Sequence, residues 1–285
     1  DDTLIIEDSV HGLEAAALSG AKVLPVAGPH EVTYEAVVAA ASERPAFPSL
    51  LTNIVVPMAG TGERFRAAGY DQWKPLISVN GRFMLDLAIK SLGVRGRHIF
   101  VAKHDDAIKH SLRPITELIS PGSKLVTTNY PTQGAVSTTL LAESLIDNDN
   151  ELLIVNCDQF IRWNPEEFFR FARGQRYDGV SLTFRDTHPK WSFCKVEGDR
   201  VTEVAEKRPI SDRANVGIYW WRRGRDYVAC AKRMVEADRR VNGEFYVAPV
   251  YNEAIAQGMK IGVFDVDEMH GLGTPEDLQR FLANQ

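Results

Sequence analysis

The chain has 285 residues, 44% of them hydrophobic, enough to bury a core and to hold one large α/β domain, alone or beside a fragment. A formal net charge of -5 argues against a nucleic-acid-binding surface, so any cationic patch is expected to be local and aimed at a small anionic ligand. No apolar run approaches the ~20 residues that span a bilayer, no signal-peptide pattern precedes the first strand, and Cys157, Cys194 and Cys230 lie far apart, which suits a reducing, cytoplasmic setting without a disulfide framework.

Residues 1–48 read as a unit of their own. A strand is expected over Thr3 to Ile6, then the acidic Glu7 and Asp8 with Ser9, a helix over Gly12 to Leu18 stopped by Gly20, and a strand over Lys22 to Val26. A second helix is expected from Glu31 to Glu43, and Pro45 and Pro48 make a stiff, non-helical boundary.

From residue 49 to the end the pattern is one long domain of alternating strands and helices. The spacing predicts a strand over Asn53 to Met58, a helix over Met84 to Leu92 and a strand over His98 to Lys103. A helix over Ala107 to Ile119, interrupted near Pro114, leads to a strand over Lys124 to Thr128 and a helix opening near Gly134 and running through Leu145. An apolar strand from Glu151 ends in Asp158. Beyond it come a strand over Asp178 to Phe184, a hairpin of Phe193 to Val196 with Arg200 to Glu206 across Gly198, and a strand over Asn215 to Tyr219. Arg222, Arg223 and Arg225 read as a solvated turn. A helix over Val250 to Gln257 and a strand over Lys260 to Val266 precede the last helix, capped by Thr274, with Pro275 in its first position and Asp277 in its first turn. The expected class is α/β: a Rossmann-like mixed, mainly parallel sheet with helices on both faces, plus the small N-terminal strand-helix-strand piece.

Two places carry chemistry. After the first strand, Ala59, Gly60, Thr61 and Gly62 make a loop whose glycines let the backbone turn and approach a ligand with no side chain in the way. Arg64 and Lys74 supply a planar fork and a mobile point charge against a polyphosphate. An ordinary strand-to-helix turn with two surface cations is the plainer alternative. Second, Asp158 stands at the carboxyl end of an apolar strand, where open α/β sheets bind ligands and where Mg²⁺ would find an oxygen ligand.

Gly60-x-Gly62-x-Arg64-Phe65 after a strand, with Lys74-Pro75-Leu76 beyond it, resembles the signature of the sugar-phosphate nucleotidyltransferases, and the resemblance runs from about Thr52 to the C-terminus. It implies joining a phosphorylated sugar or polyol to a nucleoside triphosphate (NTP), with pyrophosphate released and Mg²⁺ as cofactor. It also implies that Gln133 and Gly134 read the base, that Glu206 and Lys207 hold the sugar and its phosphate, and that Asn215 and Gly217 back the sugar hydroxyls. Gly271 stands where many relatives carry a second metal-binding Asp, so Asp265 or Asp267 becomes the candidate second ligand. Trp73 stands where many relatives have Pro. The form of the motifs is most similar to a branch associated with capsule and surface-polysaccharide genes. Glu7 to Ala16 resembles the fourth motif of the haloacid dehalogenase superfamily, whose nucleophilic Asp lies in an upstream motif; this chain by itself is expected to show no phosphatase activity. The base and the acceptor stay open at this level, homo-oligomerisation is compatible with the sequence, and neither nucleic acid nor membrane is expected as a partner. A nucleotide-sugar-dependent glycosyltransferase or a non-catalytic nucleotide-binding domain are the alternatives.

Overall fold

Four consecutive β-branched or apolar residues, Ile54 to Pro57, cannot alternate between core and water, and such a strand is stable only with both faces covered. The computed structural model describes residues 52–284 and, ahead of them, 4–9, 22–26, 28–33 and positions 12, 13, 16 and 37. The chain falls into two compact units, 1–51 and 52–285.

In the first unit, β1 (Leu4–Glu7) and β2 (Lys22–Pro25) pair in parallel, from Leu4 opposite Lys22 to Glu7 opposite Pro25. Parallel pairing demands a crossover, and positions 12, 13 and 16 between the strands are helical. The rest of the helix expected there, and the proline boundary at 44–48, lie outside the described residues. The helix expected from Glu31 does not begin there. Pro29–Glu31 is a 3-10 turn opened by Gly28, and Val32 and Thr33 are not helical; Val37 is, and the remainder lies outside the described residues.

The second unit opens with β3 (Asn53–Pro57), α1 (Glu63–Ala67), the short hairpin β4 (Ser78–Val79) and β5 (Arg82–Phe83), and α2 (Met84–Leu92). There follow β6 (Arg97–Lys103), α3 (His104–Lys109), α4 (Leu112–Ile119), β7 (Lys124–Thr128), α5 (Ala135–Leu140) and α6 (Glu143–Ile146). Next come β8 (Leu152–Val155), β9 (Gln159–Arg162), α7 (Pro165–Gly174), β10 (Gly179–Arg185), β11 (Ser192–Glu197), β12 (Arg200–Glu206) and β13 (Arg213–Trp221). The unit closes with α8 (Gly224–Glu236), α9 (Val250–Ala256), β14 (Ile261–Asp265), β15 (Glu268–Gly271) and α10 (Pro275–Ala283).

The fold is mixed α/β with a mainly parallel central sheet, ordered β12-β11-β13-β8-β3-β6-β7, with β10 on β13 and β14 on β10. β7, β6, β3 and β8 run parallel. The long β13 runs antiparallel to β8, β10 and β11 and so joins that half to the β11–β12 hairpin. Alternate residues of the parallel strands feed two cores. Val55, Ile99, Val101, Leu152 and Ile154 pack with α5, α6, α8 and α9, whereas Ile54, Val56, Phe100, Leu153 and Val155 pack with α2, α4 and α7.

Several elements differ from the expectation. The break before Ile119 falls at His110 and Ser111, where Ser111 has φ 49°, not at Pro114. Pro114 lies in the first turn of α4, where a missing N–H removes no helical bond. The helix expected through Leu145 divides into α5 and α6 at Leu141 and Ala142. The arginine cluster is solvated at Arg223 and Arg225, as expected, but its side chains are tied down. Arg222 donates to the carbonyls of Tyr177 (2.6 Å) and Ala172 (3.2 Å), and Arg223 and Arg225 pair with Asp226 and Asp149.

At the rear edge of the sheet, Glu151 is buried and takes a two-pronged contact from Arg173 (Nε to Oε1 2.8 Å, Nη2 to Oε2 2.7 Å). Removing the fork would strand a buried carboxylate. With Arg173 itself 39% exposed, Arg173→Ala is expected to cost about 2 kcal/mol, less than the loss of a fully enclosed pair. The urea midpoint should fall, while Arg173→Ala, Glu151→Gln combined should recover part of the loss. An unchanged midpoint in the single variant would contradict this.

Candidate active site

The carboxyl ends of β3 and β8 open onto one cavity, lined on one side by Arg64, Lys74 and Asp158 and on the other by Glu206, Asn215 and Gly217. The first wall follows from the glycines. Gly62 has φ 65° and caps α1, its carbonyl accepting from Phe65 N (3.1 Å) and Arg66 N (3.2 Å). A Cβ on Gly62 would lie 3.3 Å from Lys74 Cβ, whereas one on Gly60 would meet nothing within 4 Å. The loop is therefore pressed against Lys74 at Gly62 and exposed at Gly60 and Thr61.

Lys74 sits in a 3-10 turn, Lys74–Leu76, and its ammonium donates to Asp158 Oδ2 at 2.5 Å. Burial works against the Lys74 charge, but the neighbouring Asp158 outweighs it and holds the group above the ordinary lysine range, with Arg64 pulling slightly the other way. Burial, reinforced by Asp158, pushes the Cys157 thiol up to about 12. It stays protonated at neutral pH and is no nucleophile.

The loop from β15 to α10 crosses directly over Asp158. Leu272 N donates to the Asp158 carbonyl at 2.7 Å, and a Cβ on Gly273 would lie 2.8 Å from Asp158 Oδ2. A Cβ on Gly271 would lie 2.8 Å from the Trp191 ring. The indole thus occupies the space that a carboxylate at 271 would need.

The far wall is the β11–β12 hairpin with β13. Burial raises the Glu206 carboxyl to about 7, with Lys207 lowering it and Glu244 raising it further. Lys207, at φ 53°, donates its backbone N–H to Trp191 O (2.9 Å) and its ammonium to the Tyr246 hydroxyl (2.6 Å). The cavity is lined by Tyr246 in its place. The Asn215 amide is committed inward: Oδ1 accepts from Ser181 Oγ (2.5 Å) and Cys194 Sγ (3.1 Å), and Nδ2 donates to Ser192 Oγ (2.9 Å). Gly217 has φ 96°, and a Cβ there would lie 2.4 Å from Asn156 Nδ2.

The nucleotidyl transferase family profile matches residues 54–278, well over half of the chain. The chain belongs to the nucleotidyl transferase family. Among solved structures, this nucleotidyltransferase is similar to a nucleoside-diphosphate-sugar pyrophosphorylase from Vibrio cholerae RC9, with TM-score 0.69 and 26% identity over 81% of this chain and 99% of the other. It shares its fold with a Bacillus anthracis protein assigned as a glucose-1-phosphate thymidylyltransferase and solved with a sucrose (TM-score 0.66, 18% identity, 82% of this chain and 94% of that one). It also shares its fold with the inositol-1-phosphate CTP transferase from T. maritima (TM-score 0.67, 15% identity, 82% and 94%). No curated protein sequence matches the chain.

Several expected positions of the nucleotidyltransferase do not line the cavity: Ala59 to Gly62 and Lys207 border it without lining it, and Asp265, Asp267, Gln133 and Gly134 lie away from it. Asp265 is held by Arg213 Nη1 at 2.7 and 2.9 Å and by Thr183 Oγ1 at 2.6 Å, and Asp267 follows it on the turn between β14 and β15, its N–H given to Arg162 O (3.0 Å). Neither lines the cavity, so neither can share a metal with Asp158 in this arrangement: nearness in the chain does not bring them to the site. Gln133 and Gly134 also stand back. Gln133 O accepts from Phe245 N (2.8 Å), and at Gly134 (φ 111°) a Cβ would lie 2.6 Å from Phe245 N, which leaves Ala135 as the lining residue there.

The carboxylate that does line the cavity beside Gly271 is Asp277, with Lys190 on Oδ1 at 2.6 Å. Among the described residues no group of three or more His, Cys, Asp or Glu side chains is placed to hold a metal. Asp158 suits Mg²⁺ all the same. Lys74 takes Oδ2 and leaves Oδ1, and Mg²⁺ commonly binds one or two protein carboxylates and completes its shell with phosphate oxygens and water. No helix among the described residues is long and apolar enough to cross a membrane.

Proposed function

We propose that the protein transfers a nucleotidyl group from an NTP to the phosphate of a sugar, polyol or heptose phosphate and releases pyrophosphate. The observation that carries this is the meeting of Lys74, Arg64 and Asp158 at the carboxyl edge of the sheet with Glu206 and the β11–β12 hairpin across one cavity. The similar proteins, named for a nucleoside-diphosphate sugar, a glucose 1-phosphate and an inositol 1-phosphate, support the same substrate class.

Ala59 to Gly62 wrap the triphosphate, and Arg64 and Lys74 neutralise the departing pyrophosphate. An acceptor phosphate oxygen forms a bond to the α-phosphorus as the α,β-bridging bond breaks in line, and pyrophosphate leaves with the electron pair. The nucleophile is already an anion, so positioning and charge neutralisation suffice without a general base. Asp158 would hold Mg²⁺, which supplies further charge neutralisation to the phosphates when bound. Incubation with each NTP and a panel of phosphate esters, reading pyrophosphate release, tests the assignment; release without an acceptor, or none with any pair, counts against it.

The Glu206 carboxyl gives a pH signature. Its pKa is raised in the fold, so the proton it holds stabilises the protein fully below the ordinary carboxylate range, and that contribution is lost as pH rises through about 7. Ionised Glu206 would also repel an acceptor phosphate. The acceptor KM is expected to rise severalfold from pH 6 to 8, and Glu206→Gln to flatten that rise. A wild-type acceptor KM that does not change with pH contradicts it.

The capsule-like motif forms support a place in surface-polysaccharide precursor synthesis. Buried, free Cys157, Cys194 and Cys230 suit a cytoplasmic setting. The resemblance of Glu7 to Ala16 supports a haloacid dehalogenase-like origin for residues 1–48, where Glu7 accepts from Ser9 N (2.9 Å) and Ser9 Oγ (2.7 Å), bonds that lower its pKa.

A further inference from the structure

We propose that Lys190 is an acceptor-binding lysine: its ammonium, set in place by Asp277 and Trp191, binds the phosphate of the acceptor. The inference deepens the transfer reading above and rests on it.

Lys190 lines the same cavity as Lys74 and Asp158. Its ammonium donates to Asp277 Oδ1 at 2.6 Å and lies 4.4 Å from the centre of the Trp191 ring. That ring is itself fixed, its indole N–H held by Asp186 Oδ2 at 2.9 Å. The segment belongs to the acceptor half. Trp191 O accepts from Lys207 N, and the next residue, Ser192, pairs with Glu206 across the hairpin. Lys207 gives its ammonium to Tyr246, so the hairpin-side lysine that reaches the cavity is Lys190.

Asp277 does not need this lysine for its own charge. It lies in the first turn of α10, where the helix end favours a carboxylate, and Arg280 approaches at 3.7 Å. An ammonium has three N–H donors. Asp277 takes one, and a charge 30% exposed on an aromatic shelf keeps donors for an incoming oxyanion with less competition from water.

The test is calorimetric titration of the whole chain with inorganic phosphate, together with steady-state kinetics for the best NTP and acceptor pair. Lys190→Met is expected to weaken phosphate binding about 10-fold or more, as loss of a charge-assisted bond does. Lys190→Arg should retain most of the affinity and Lys207→Met should lose less. In turnover, Lys190→Met should raise the acceptor KM and leave the NTP KM unchanged, with a melting temperature close to wild type. A purely structural Lys190 would instead lower the melting temperature and leave phosphate affinity unchanged, which overturns the proposal. So does an absence of phosphate binding in the wild-type protein, or an equal rise in both KM values. Phosphate binding lost in Lys190→Met, with no pyrophosphate released from any pair, would keep the site and reject the transfer reading. Transfer with an unaltered acceptor KM would do the reverse.

Discussion

Asp158→Asn is expected to lower kcat/KM by on the order of 10² or more while the protein stays folded, because it removes a charge that acts on the phosphates during transfer. The geometry explains why the fold should survive. Asp158 is partly exposed at the end of β8, its main-chain carbonyl still holds Leu272 N, and an Asn oxygen can still accept from Lys74. The loss should therefore appear in turnover and in its Mg²⁺ dependence, not in the melting temperature. Near-normal Mg²⁺-dependent turnover would remove Asp158 from the site's chemistry.

Lys74→Ala is expected to cost a similar factor, about 10² in kcat/KM, through the NTP side. The base of the Lys74 side chain sits against Gly62 of the glycine loop, and its ammonium is kept charged by Asp158. Its removal takes a cation from the phosphates and leaves Asp158 as an uncompensated negative charge facing them. The NTP KM should rise and the acceptor KM should change little. The opposite pattern would place Lys74 on the acceptor side.

The elements around this wall were legible because their signals are local. Gly62 needs φ 65°, and Thr274 accepts from Asp277 N at 3.1 Å as the cap expected of Thr-Pro-Glu-Asp. The apolar run of β8 ends before Asp158 for the reason open α/β sheets place polar groups at that edge. What stayed hidden depends on distant chain. Helix α7 carries a readable start, Asn164 accepting from Glu167 N at 3.2 Å, yet the aromatic run through Phe168, Phe169 and Phe171 obscures its period. Helix α8 opens on Gly224, where a Cβ would lie 2.0 Å from Ile146 O, and its N-cap residue, Arg223, makes no side-chain cap.

In the site, the family resemblance points to Lys207 and chain position to Asp265, but the partners that hold them, Tyr246 and Arg213, come from other elements. Lys190 and Asp277 show the converse. They are 87 residues apart, and only the fold brings them to one cavity.

The most direct measurement follows the α-phosphorus. With α-³²P-labelled NTP, Mg²⁺ and a sugar or polyol phosphate, the label should move into a nucleoside-diphosphate-linked product, one pyrophosphate should appear per product, and both should vanish when the acceptor is omitted. Label recovered only as NTP across all bases and acceptors, or as nucleoside monophosphate regardless of acceptor, would contradict nucleotidyl transfer to a phosphate.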